Sequence, residues 1–177
     1  LKKWLGLALN VYVELEESKG HISLYLVDEK SKARVNLADT AFGYSQLLPI
    51  AIQLWLTQIS RDLRFSHFRR NRSKIVVIEQ PELHLHPRIQ AKVADLLAHT
   101  ISIEKSEIKP CIIVETHSEA LVNRLGKLIA DKILKPSDVN IVIFNKKSFS
   151  GATTVTETSF DSNGFLINWP LGFFNSD

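Results

Sequence analysis

A chain of 177 residues, 45% hydrophobic and 23% charged, is long enough for one α/β domain around a buried core and has an ordinary soluble composition. Its formal charge of +3 is too small to argue for nucleic acid alone, and its single cysteine excludes a disulfide framework and fits a reducing cytoplasm. No apolar run reaches membrane-spanning length and no secretory leader is expected, so no membrane partner is expected. The chain opens on Leu1 and contains no methionine, from which a fragment with a missing upstream part is expected.

Residues 1–9 read as the end of a short amphipathic helix. Residues 11–16 and 21–26 alternate around Lys19-Gly20 and predict a β-hairpin, with residues 34–37 as a third strand. The apolar run over 47–59 has helix length, and the basic stretch 61–74 follows it. Ile75-Val76-Val77-Ile78 is the β-branched run of a parallel strand covered on both faces. Pro87 starts a helix through Ile89, Val93, Leu96 and Leu97. A second apolar run at 111–114, a helix over 118–131 and a third run at 139–144 complete a strand–helix–strand–helix–strand series, hence a parallel sheet. Cys111 reads as a small buried hydrophobe of that second run. Residues 153–158 form a further strand, 161–164 a turn, and the aromatic-rich 169–174 an ordered tail. Trp4, Trp55 and Trp169 read as core or interface anchors. Three units are expected: 1–35 an antiparallel β element, 36–148 the main α/β core, and 149–177 a short β-rich tail.

Ligands of open parallel sheets bind beyond the carboxyl ends of the strands. The first run ends in Glu79-Gln80-Pro81-Glu82, the second in Glu115-Thr116-His117-Ser118, and the third in Asn145. Such a rim offers carboxylates, an amide, a hydroxyl and an imidazole, and a strand ending in a carboxylate suits a hydrated Mg2+ on a nucleotide.

Residues 75–82 resemble the Walker B segment of ABC-type ATPases, where Asp-Glu-Pro follows the strand. The continuation Leu83-His84-Leu85-His86-Pro87 resembles the D-loop of the branch related to SMC and OLD-type proteins. Ile112-Ile113-Val114-Glu115-Thr116-His117-Ser118 is similar to the switch strand, whose histidine contacts the γ-phosphate. Residues 36–49, with Gly43-Tyr44-Ser45-Gln46, occupy the place of the ABC signature, which presents a helix amino terminus to the γ-phosphate held by a second subunit. Trp169-Pro170 and the Gly172-Phe173-Phe174 that follows resemble the tail of predicted bacterial ATPases with an AAA-like ABC core.

The resemblance implies a P-loop NTPase-like sheet with parallel central strands, ATP and Mg2+ as cofactors, and a head-to-tail dimer. It implies Glu79 as metal ligand, Gln80 as water-positioning residue, Glu82 as remote base and His117 as switch. Gly43, Tyr44, Ser45, Gln46 and His86 are implied in nucleotide contact, although packing is also open for Tyr44. DNA and a nuclease effector, in repair or defence against phage, are its implied associates.

Two departures stand out. No Gly-x-x-x-x-Gly-Lys-Ser/Thr occurs, and Gly126-Lys127 has Leu121 where the first glycine belongs, so the phosphate cradle is expected in the missing upstream part. The family's catalytic Glu is replaced by Gln80, which can orient water but cannot take its proton, so turnover is expected to be slow. Two other readings compete. Glu79, Glu82, His84, His86, Glu115 and His117 could serve a metal-dependent hydrolase or nuclease. The stretch 61–74, basic with Phe65 and Phe68 interleaved, could make a nucleic-acid module.

Overall fold

The computed structural model describes residues 1–40, 42–59, 74–102, 110–146 and 151–170. Helix α1 (Lys2–Leu9) ends where Asn10 turns left-handed and its N–H donates to the Gly6 carbonyl at 3.0 Å. Strands β1 (Val11–Ser18) and β2 (His21–Asp28) pair antiparallel, and β2 carries β3 (Arg34–Asn36) on its other edge. Lys19 and Gly20 close the hairpin with φ of 50° and 78°, the double positive-φ turn that matches strand twist.

Helix α2 (Phe42–Ile59) begins earlier than hydrophobicity alone predicts, so Gly43 to Gln46 lie on its first turn. Strand β4 (Ile75–Glu79) pairs in parallel with β5 (Cys111–Glu115) from Ile75↔Cys111 to Glu79↔Glu115. Helix α3 (Pro87–Ser102) connects them, starting at Pro87 as its missing N–H allows, and buries a stripe of Val93, Ala94, Leu96 and Leu97. Helix α4 (Glu119–Ala130) is capped by Ser118, which accepts the Leu121 N–H at 3.0 Å. Arg124 of α4 meets Asp95 of α3 at 2.8 Å. One core runs through Trp4 and Leu5 of α1, Leu47 and Leu54 of α2, Ile78, and the inner faces of α3 and α4. Trp55 packs on its border.

Three expectations change. First, β6 (Ile141–Lys146) is hydrogen-bonded to antiparallel β7 (Thr153–Phe160), which also carries β8 (Leu166–Ile167), and not to β5. Among the described residues only β4 and β5 form a parallel pair. Second, that pair is covered on one face. Val76, Ile112 and Val114 pack on the core, while Ile75, Val77 and Ile113 are 66%, 63% and 52% exposed. Third, Cys111 belongs to the open face through its register with Ile75 and is exposed, not buried. Among the described residues no helix is long and apolar enough to cross a membrane. The basic residues 61–73 and the tail residues Phe173 and Phe174 lie outside the described residues.

Candidate functional site

The parallel register sets Glu79 and Glu115 side by side at the carboxyl edge, both exposed and both on the uncovered face of the pair. Beyond Glu79 the chain makes two consecutive tight turns. Gln80 is left-handed at φ 43°, and its N–H extends the ladder by donating to the Glu115 carbonyl at 2.8 Å. The Leu83 N–H then donates to the Gln80 carbonyl at 3.1 Å and the Leu85 N–H to the Glu82 carbonyl at 3.0 Å, with His84 left-handed at φ 59°. Two left-handed non-glycine residues in these two turns represent about 1–3 kcal/mol of strain each, which the surrounding contacts must hold.

Glu82 supplies the strongest of those contacts. Its side chain is buried, and Oε1 accepts the His117 main-chain N–H at 2.6 Å. Its Oε2 is buried without a hydrogen-bond partner among the described residues. The carboxylate therefore fastens the loop after β4 to the loop after β5. His117 itself is exposed, with its imbedded neighbour Ser118 donating from Oγ to Gln90 Oε1 at 2.7 Å. Thr116 Oγ1 accepts the Ser118 N–H at 3.0 Å.

His86 caps α3: its carbonyl accepts the Ile89 N–H at 2.7 Å, and its Nδ1 accepts the Arg88 N–H at 3.3 Å. His84 is exposed beside it. Gly43 is buried against this turn, where a β-carbon would lie 2.9 Å from Leu85 Cδ2. The start of α2 and the 80–86 turn thus share one packed junction. Ser45 and Gln46 are exposed on that first turn, while Tyr44 is half-buried against the core. Burial, and secondarily the Asp28 carboxylate, push the Tyr44 hydroxyl pKa up.

Glu79, Gln80, Glu82, His117, His86 and the Gly43 turn are therefore drawn into one region by the β4–β5 register, the Glu82 bond and the Leu85 contact. Asn145 is not drawn into that register: its strand pairs with β7 and is not hydrogen-bonded to β5. Gln90 was not legible as a site residue. It sits on the fourth position of a helix, where a polar side chain normally means only solvent. Of the two exposed strand-end carboxylates, Glu79 fits Mg2+ as one ligand whose remaining positions go to phosphate oxygens and water. A self-sufficient metal centre does not fit: among the described residues no group of three His, Cys, Asp or Glu converges.

Residues 7–122 match the model of a family described as AAA ATPase domain. A solved structure described as "Structural biochemistry of ATP-driven dimerization and DNA stimulated activation of SMC ATPases" is similar over 88% of this chain and 79% of its own, with a TM-score of 0.55 and 13% identity. At that identity the likeness is one of fold. No curated protein matches the chain.

Proposed function

Because the chain belongs to the AAA ATPase domain family, we propose that it carries the Walker B, signature and switch half of an ABC-type, P-loop NTPase-like ATP site. The observation that carries this reading is the uncovered face of the β4–β5 pair. Glu79 stands at its rim, and below it Val77, Ile113 and Ile75 are exposed although they are apolar. A P-loop segment lying on that face would bury the apolar rows and bring a phosphate cradle to Glu79 and His117. On this reading residues 36–148 are the carboxyl-terminal half of the core, with the antiparallel β element before it and the β-rich tail after it.

In that site Glu79 would hold Mg2+, which supplies charge neutralisation on the phosphates. Gln80, fixed by its bond to Glu115, orients the attacking water through its amide and leaves the proton to another acceptor. Glu82 has its carboxylate engaged with His117, so it supports the switch loop better than it serves as a base. His117 presents its imidazole to the γ-phosphate. Gly43, Tyr44, Ser45, Gln46 and His86 face the nucleotide of a second, head-to-tail copy, with the amino-terminal turn of α2 offering its main-chain donors. ATP is then a clamp between subunits, turning over slowly. DNA and a nuclease effector are the partners such a clamp would serve, in repair or in defence against phage, within the cytoplasm. The fold-related SMC structure, whose description concerns ATP-driven dimerization and DNA stimulated activation, supports that direction.

Calorimetry with Mg-ATP tests the reading, on this chain and on the same chain joined to a P-loop segment. Binding is expected only for the joined form and is expected to weaken in His117→Ala. Absence of binding in both, with tight zinc or manganese uptake by this chain, would replace the ATP site by the metal-hydrolase alternative.

A further inference from the structure

We propose that Gln90 is the positioning residue through which the 80–86 turn and the His117 loop move as one unit. Its amide lies between them. Nε2 donates to the Leu85 carbonyl at 3.0 Å and, more distantly, to the Glu82 carbonyl at 3.5 Å, while Oε1 accepts the Ser118 hydroxyl at 2.7 Å. The amide orientation follows from chemistry, because two carbonyls on one side require the NH2 there, and Ser118 must then be the donor. Ser118 Oγ in turn accepts the Leu121 N–H, so the start of α4 is part of the same chain of bonds.

The arrangement is closed by Glu82, which runs from the first loop to the His117 N–H. Two side-chain links thus join two loops, one from inside the 80–86 turn and one from α3 beneath it. The turn needs such links, since Gln80 and His84 both hold left-handed backbone that neither residue favours. Loops tied twice in this manner have no separate route to opening: releasing the Ser118–Gln90–Leu85 bridge frees the turn that aims Glu82, and the His117 amide loses its acceptor. Leu85 extends the unit to Gly43 at the start of α2. Resting on the nucleotide reading, a consequence follows: what His117 meets in its own site is passed to His86 and Gly43, which face the other subunit's site.

The test needs no nucleotide, so failure of the ATP reading and failure of this one are separable. In the unaltered chain, native-state amide exchange in rising denaturant is expected to show Leu83, Leu85 and His117 opening with one common free energy. In Gln90→Met, and equally in Gln90→Glu, which keeps an acceptor for Ser118 but has no donor for Leu85, exchange at those three amides is expected to rise about five- to tenfold, the equivalent of a lost hydrogen bond. The His117 amide proton resonance is expected to move although Gln90 does not touch that amide. Distinct opening free energies in the unaltered chain would overturn the proposal whether or not the variants fold. So would a His117 resonance that stays in place while Leu85 and Ser118 shift.

Discussion

Gly43 opens helix α2 directly against Leu85: a β-carbon at Gly43 would stand 2.9 Å from Leu85 Cδ2. The nearest obstacle is the end of a leucine side chain, so Gly43→Ala is expected to fold with Leu85 displaced, at a cost of about 1 kcal/mol. Leu85 is itself buried, and its removal leaves a cavity costing about 2–4 kcal/mol in Leu85→Ala. The two losses should be less than additive when combined, because the truncated side chain makes room for the new methyl group. Urea denaturation of the two single variants and the double variant measures this, and strict additivity would mean that the two residues do not press on each other.

Glu82 presents the opposite problem, a buried group whose loss leaves a donor behind. Glu82→Ala strands the His117 N–H and is expected to cost about 1–3 kcal/mol, whereas Glu82→Gln keeps a neutral acceptor and should cost less. Equilibrium unfolding orders the three proteins. A Glu82→Gln protein as unstable as Glu82→Ala would show that the charge, and not the hydrogen bond, sustains the loop.

Much of this region was legible in the sequence for local reasons. Pro87 at a helix start, a helix beginning near Ser118 and the Lys19-Gly20 hairpin each rest on backbone chemistry confined to a few residues, and the structure has all three. The strand-end carboxylates Glu79 and Glu115 followed from the parallel register of two β-branched runs. What escaped the sequence depends on long-range partners. The pairing of β6 with β7, the exposure of Cys111 and the bridging amide of Gln90 are decided by which edge, face or loop lies opposite, and no local periodicity carries that information. Glu82 illustrates the boundary: its importance was visible in the motif, but its attachment to an amide 35 positions away was not.

Gly126 and Gly164 bring helix α4 and the turn before β8 into main-chain contact. A β-carbon on Gly164 would fall 2.0 Å from the Gly126 carbonyl oxygen, and one on Gly126 would fall 2.4 Å from that of Gly164. Backbone cannot step aside as a leucine tip can, and Gly164 is also left-handed at φ 80°. Either alanine is therefore expected to cost about 2 kcal/mol or more and to loosen the β6–β8 sheet from α4. Limited proteolysis after residue 146, compared between the unaltered chain and Gly126→Ala, reads the loosening; equal resistance would mean that the sheet is held elsewhere.

His99 ties stability to pH through the core. It lies in a tilted arrangement against Trp4, ring centroids 5.9 Å apart, and burial lowers its pKa below the ordinary 6.5. A histidine whose folded pKa is depressed binds its proton more readily when unfolded. Its contribution to stability is therefore fully present above the unfolded value and is lost as pH falls toward and through the folded one. The thermal midpoint is expected to drop as pH is lowered from 7 to 5, and to drop less in His99→Gln, which has no proton to gain. Every other titratable group is common to both proteins, so the difference between the two curves isolates His99. Parallel curves would mean that the imidazole stays solvated enough in the folded chain to protonate as freely as in the unfolded one.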